Sequence, residues 1–489
     1  MRRFLAGLAI FAATVSRDAT AGPSAEALLA RAAIHGLDLD MARALLAKAD
    51  AGDTAASLER ARLAIYEGDC DRAVTILTDP QVAKLDEEVG LGEIASGCAR
   101  VTAATSIVED KAANIHVRFQ DDADQVLMPL VVETITKARD TLTRDFGVDW
   151  PKPTRVVIVR DLVALSAMTG LPYKDAATTG TVGIAKWGRV TLLSPRASQH
   201  GFAWRDTLAH ELTHLAVTRA SGDLAPLWLQ EGLAKREEIR WRGPGPFDDR
   251  PSPESVVAYG MQKHLDLPLD KLGPSIAMLP SADQAMVAFA EVTSFLRYLA
   301  NEAGTESIKK LLAALHSATP IDKAMVDSTG ADLKGWDTKW RAHLATLNES
   351  PPPALLAAQT KEARTMQEHV RLAELLIGRG HDADAALELD AVTGPMLSDP
   401  HVRYLKARAL EKTDPAGAKR VLGEPADLFA SYAPWWAIRG RFSSDEHDFW
   451  EAIAQDPFDI EAACRGGAKA GDPLCEAAKQ NGTPDVGRE

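Results

Sequence analysis

The sequence predicts an α+β fold: a small mixed β-sheet with one central helix and a helical subdomain, flanked on both sides by all-α, helical-repeat-like regions. Three observations predict it. Alternating or β-branched runs are confined to a middle stretch, at Ile115–Phe119, Arg155–Val159 and Thr181–Leu193. The segment from Ala25 to Ala104 is rich in Ala and Leu with helical periodicity. A proline run, Pro351-Pro352-Pro353, then separates the middle stretch from a second helical segment.

At 489 residues the chain is long enough for two or three domains. The expected divisions are a signal peptide at 1–21, an N-terminal helical region at 22–107, a central domain at 108–348, a linker at 349–358 and a C-terminal helical region at 359–489. The first boundary rests on Met1-Arg2-Arg3, an apolar run from Phe4 to Val15, and Ala19-Thr20-Ala21 before Gly22. A basic start, an apolar stretch too short to span a bilayer and a small-residue site describe a cleavable secretory signal cut near Ala21. The expected location is therefore periplasmic or secreted, with no transmembrane segment in the remainder. The net charge of −14 argues against nucleic acid as a partner, because little here would neutralise a row of phosphates.

Four cysteines fall in two sequence-local pairs, Cys70 with Cys98 and Cys464 with Cys475. On an exported chain this points to two disulfides, although spacing alone leaves the connectivity open. Within the N-terminal region, Ala61–Val74 carries small and large apolar residues around Gly68-Asp69, which resembles a tetratricopeptide-type helix hairpin. Leu372–Gly380 and Val402–Leu410 have the same character, and Asp456-Pro457-Phe458-Asp459 sits where a repeat turn would. In the middle stretch an amphipathic helix is expected over Asp124–Phe146. A hairpin is expected at Trp187-Gly188, and helices over most of Ser255–Leu347.

The chemistry-bearing residues follow the hairpin. His210-Glu211-Leu212-Thr213-His214 places two imidazoles four residues apart, hence on one face of a helix. Seventeen residues past His214 comes Glu231, in Leu227-Trp228-Leu229-Gln230-Glu231-Gly232-Leu233-Ala234, which reads as a second helix. The interval leaves room for a turn around Ser221-Gly222-Asp223 and a return alongside. Two His and one Glu with an open fourth position form the ligand set of a catalytic zinc, one ion per chain. Glu211 stands beside them as general base toward a metal-bound water.

These two segments, with Thr181–Ile184, Val190–Pro195 and the later helix Glu291–Leu299, resemble the peptidase MA-like family of gluzincins over roughly residues 110 to 347. The resemblance implies a gluzincin-type catalytic domain in which His210, His214 and Glu231 bind zinc. It implies that Glu211 activates water and passes its proton to the leaving amine, and that the Val190–Leu193 strand forms the sheet edge above the metal. Where such enzymes often carry an Asp that orients a histidine, this chain has Lys235, so Asp206 is the substitute candidate beside a helix-capping reading. Phe289 stands where many relatives have the Tyr that steadies the oxyanion, leaving Tyr259, His264, Tyr298 and His200 as candidates.

Arg236-Glu237-Glu238 and Arg240-Trp241-Arg242 read as a solvated helix face. The loop Gly243–Pro251 is expected to cover the cleft, and the tryptophans to pack in cores, with Trp204 and Trp228 between the two site helices. The expected function is a secreted or periplasmic zinc metallopeptidase, a hydrolase acting on a peptide or protein substrate. The alternative is a non-catalytic, peptide-binding helical-repeat scaffold of the cell envelope, with protein partners docking on the repeats.

Overall fold

A computed structural model describes residues 23–482 apart from 88, 104, 149, 151, 358–359, 424–427, 429 and 466–471, so the expected signal segment lies outside the described residues. One five-stranded sheet is formed by β1 (Ser106–Asp110), β2 (Ile115–Phe119), β3 (Thr154–Val159), β4 (Gly183–Lys186) and β5 (Arg189–Leu193), in the order β1-β2-β3-β5-β4. β2, β3 and β5 run parallel, while β1 and β4 close the two sides antiparallel. The remainder of the described chain is mostly helical, so the architecture is α+β with helices on either side of the sheet in sequence.

The helix that crosses from β2 to β3 begins later than its periodicity suggests. Asp122–Leu127 is a 3-10 turn, and the α-helix runs Met128–Phe146 with Pro129 in its first turn. Proline has no N–H to give and a φ already suited to a helix start, so it marks where the regular helix begins. The expected hairpin turns at Trp187-Gly188, both left-handed (φ 56° and 69°), the backbone that suits a two-residue connection between twisted strands.

The N-terminal helices do not stand apart. Ala30, Ile34 and Tyr66 join the same apolar core as Ile115, Val117 and Ile158 of the sheet. Tyr66 meets Trp187 edge-on at 6.0 Å, and the buried Arg189 donates from Nη1 to Ile65 O at 2.6 Å. The hairpin Thr54–Glu67/Cys70–Leu77 turns at Gly68, whose φ of 82° suits glycine. Both cysteine pairs are disulfides, Cys70–Cys98 and Cys464–Cys475. Within the expected linker, Pro353–Ala357 forms a short helix, and Leu355 and Leu356 pack on the central core. The proline run thus starts a helical turn, while the preceding helix ends earlier, at Leu347 with a left-handed Asn348. The C-terminal helices hold a separate core around Leu405, Trp435, Trp436 and Phe449.

Behind the Leu227–Glu237 helix lies the long helix Ala282–Ala303, which carries a buried acid, Glu291. Its Oε2 accepts from Leu267 N–H at 3.2 Å, and Oε1 has no partner among the described residues. Burial pushes this carboxyl up to about 8. The folded state then keeps a proton that the unfolded chain releases near 4.3, so stability falls as pH rises toward 8 and levels beyond it. Glu291→Gln is expected to flatten that descent and to gain on the order of 2 kcal/mol at pH 8. Urea unfolding at pH 5 and pH 8 measures this, and an unchanged pH dependence contradicts it.

Candidate metal centre

The helix Trp204–Ser221 buries every residue from Leu208 to Thr213, so it runs through the core with no solvent face along that stretch. It ends where expected: Gly222 and Asp223 are both left-handed, and their N–H groups return to Thr218 O. The chain then reverses into Leu227–Glu237. Gly232 explains how this second helix fits, since a Cβ there would lie 3.0 Å from Val292 O and 3.1 Å from Leu296 Cβ. Trp228 turns its ring edge-on to Phe295 at 5.4 Å, anchoring the same helix to Ala282–Ala303.

The turn brings three donor atoms together. His210 Nε2 and His214 Nε2 are 3.3 Å apart, and each is 3.6 Å from Glu231 Oε2. A tetrahedral cation with bonds of about 2.1 Å needs ligand atoms about 3.4 Å apart, so the donor set fits one divalent ion. The other ring nitrogens are held from behind: His210 Nδ1 donates to Glu238 Oε2 at 3.1 Å, and His214 Nδ1 to Gln230 Oε1 at 3.3 Å. Such bonds fix the tautomer that leaves the Nε2 lone pairs facing the cluster.

Electrostatics agree with this arrangement. Burial alone would depress the His210 imidazolium, but hydrogen bonds to Glu231 and Glu238 win and raise it to about 10. His214 is raised through Glu231 against the same burial. Glu231, though buried, is held well below the carboxylate range by His214 and His210. Burial likewise opposes ionisation of Glu238, yet Lys235 and His210 hold it down at about 2. The cluster therefore binds positive charge strongly, and protons and a cation compete for the same lone pairs.

Glu238 is the site residue that sequence reading missed, having assigned Arg236-Glu237-Glu238 to a solvated face. It lies two helical turns past Glu231, on the same side, and that spacing was the available signal. Lys235, standing where relatives often have an acid, pairs with Glu238 Oε1 at 2.5 Å and so supports the histidine's partner. Glu237 is also buried, between Arg236 and Arg240. Asp206 fills neither role expected of it. Its carboxylate accepts from Trp241 Nε1 and from Arg242 at 2.7–2.9 Å, and the helix is preceded by Ala203 without a side-chain cap. Arg242 in turn reaches Asp248 at 2.8 Å, so these charges pin the Gly243–Pro251 loop rather than face solvent.

Glu211 lies on the sheet side of the motif. A Cβ on Gly183 would come within 3.1 Å of Glu211 Cγ, and Ala185 N–H donates to the Glu211 carboxylate. Burial raises Glu211, while His210 and His214 oppose the rise. The strand over the site is therefore β4. Val190–Leu193, expected at the edge, lies between β3 and β4 because the hairpin folds its first strand outward. Leu193 N–H donates to Val182 O, and the alternation of an antiparallel ladder leaves the backbone groups of Gly183 and Ala185 on the outer side.

The donors and Glu211 open into a cavity of about 1790 Å³, bordered by β4, the Gly243–Pro251 loop and part of the C-terminal helical region. Phe289 lines it, its ring 6.3 Å from that of His210. Of the four candidate oxyanion partners, His200 lines this cavity, whereas Tyr259, His264 and Tyr298 do not.

Fold and site together define a chain with a buried His-His-Glu cluster beside a further glutamate, set under an edge strand. Residues 134–346 match the family model described as Peptidase MA superfamily, and this part of the chain is a peptidase MA-like domain. No curated protein matches the chain.

Two substitutions separate the parts of this site. Glu238→Gln is expected to weaken binding of Zn2+, used as the probe ion, about 10- to 100-fold, as removal of a ligand-orienting carboxylate does. Asp206→Asn should leave that affinity nearly unchanged. Chelator competition measures both, and equal losses would contradict the division.

Proposed function

We propose that this protein is an exported zinc-dependent peptidase in which His210, His214 and Glu231 hold the metal and Glu211 is the general base. The observation that carries the reading is the convergence of three donor atoms at 3.3–3.6 Å, with Glu211 on the adjoining side of the same helix. Export is supported by the basic-apolar-small start of the sequence and by two disulfides, which persist in oxidising compartments. Among the described residues, no helix is long and apolar enough to cross a membrane.

In this mechanism a polypeptide pairs along the outer side of β4, where the Gly183 backbone groups and the Ala185 carbonyl hold it without regard to its side chains, the Ala185 N–H being given to Glu211. Zinc, when bound, supplies the Lewis acidity that activates water and polarises the scissile carbonyl. Glu211 takes the proton from the attacking water and delivers it to the amine nitrogen that leaves. A carboxyl raised by burial is suited to the first half of that transfer, because it is a stronger base toward the water proton than an exposed carboxylate. Glu238 and Gln230 keep the imidazoles aimed, and Lys235 offsets the charge of Glu238.

One observation favours a second reading, a peptide-binding scaffold that does not cut. Phe289, which has no hydroxyl, is the ring set beside His210 in the cavity. Zinc analysis and digestion of a proteome-derived peptide library decide between them. The peptidase reading expects about one zinc per chain, lost in His210→Ala, and turnover that falls at least 10³-fold in Glu211→Gln while zinc is retained. Purified protein free of zinc contradicts both readings of the centre. Stoichiometric zinc without cleavage of any library peptide selects the scaffold.

A further inference from the structure

One wall of the cavity is built by the C-terminal helical region, outside the residues matched by the peptidase MA family model. Its helix Glu446–Ile453 buries Asp448, Phe449, Ala452 and Ile453 in the C-terminal core. The opposite face, His447, Trp450 and Glu451, continued by Ala454, is spaced i, i+3, i+4, i+7 and lines the cavity shared with His210, Glu211 and Glu231. Trp450 is 47% exposed there, an indole left open at the side of a concave site.

Several contacts hold this wall in place. Phe202 N–H, just before the motif helix, donates to Gln455 O at 3.1 Å. Gly201, at φ 65°, lets the two backbones meet, because a Cβ there would overlap Gln455 O. Phe247 of the pinned loop sits edge-on to Trp435 and Trp436 at 6.0 and 5.7 Å. His200 and Tyr432 pair edge-on at 5.2 Å across the same boundary. Glu451 is within electrostatic reach of Arg242 and Asp206, and Asp206 lies one turn before His210, so the wall stands on the His210 side of the centre.

We propose that this C-terminal wall is a substrate subsite, in which Trp450 stacks against an aromatic side chain of the polypeptide held along β4. The proposal rests on the peptidase reading of the centre. An edge strand binds backbone and selects little, so discrimination among peptides falls to side-chain contacts in the cavity. The open surface of Trp450, with Tyr432 and Phe247 on the same cavity, suits a flat apolar ring more than a charged group. The helical region then acts as part of the enzyme's specificity surface and not only as a docking scaffold.

The test uses full-length, zinc-loaded Glu211→Gln protein, which allows binding to be read without turnover. Peptides of equal length with one Phe, or with Ala in its place, are titrated by calorimetry. In the Trp450→Ala background the Phe peptides are expected to bind about five- to tenfold more weakly, with Ala peptides changed less than about twofold. Trp450→Phe should restore most of the difference. Equal losses for both peptide sets, no Phe preference in the parent, or no peptide binding at all each overturns the subsite. Hydrolysis by the otherwise unsubstituted chain is measured in parallel. Cleavage indifferent to Trp450→Ala sinks the subsite alone, whereas Trp450-dependent binding without cleavage supports the subsite and sinks the peptidase reading.

Discussion

Two imidazole nitrogens and a carboxylate oxygen converge inside a buried helix pair, and such a cluster is stable only around positive charge. Its separations of 3.3–3.6 Å match the edges of a tetrahedron around one small cation. In low-dielectric surroundings an uncompensated carboxylate is costly, so the surrounding structure has to supply partners for every remaining lone pair and proton. Glu238 and Gln230 serve the two Nδ1 atoms, and Lys235 offsets Glu238. Each of these comes from the segment 230–238, so one short helix provides both a donor and the means of aiming the other two.

That helix is itself placed by backbone constraints rather than by polar contacts. The left-handed pair Gly222-Asp223 reverses the chain. Gly232 then lets it lie against Val292 and Leu296, closer than any side chain there would allow. On the far side of the motif helix, Gly183 performs the same service for β4, bringing the edge strand into contact with Glu211. Two glycines on opposite sides thus set the separation between the His-His-Glu cluster, Glu211 and the β4 edge. The sheet order follows from the same geometry: three parallel strands form the centre, and the β4–β5 hairpin turns its first strand outward over the site.

The flanking helical regions are tied to this centre unequally. The N-terminal helices merge into the central core and receive the Arg189 guanidinium, which makes them part of the scaffold behind the hairpin. The C-terminal helices keep their own core and meet the central domain along the Phe202–Gln455 and Phe247–Trp435/Trp436 contacts. This second seam borders the cavity, and its C-terminal residues Trp435, Trp436 and Gln455 lie more than two hundred positions from the motif.

Local features were legible in the sequence because the physics behind them is local. Histidines four apart share a helix face, Gly-Asp and Trp-Gly pairs favour left-handed turns, and a carboxylate after a turn-length interval can return to the motif. The α+β class, the hairpin and the grouping of His210, His214 and Glu231 all rest on such short-range rules. Tertiary packing decided the rest. A charged run such as Arg236–Glu238 reads as solvated until the helix that carries it is buried against a histidine, at which point Glu238 becomes a partner. Asp206 has the right type and spacing to orient His210, but Arg242 and Trp241, brought in by the following loop, take its carboxylate. Which strand of a hairpin becomes the edge, and which helix face borders a cavity, depend on contacts between segments far apart in the chain, and no periodicity encodes those.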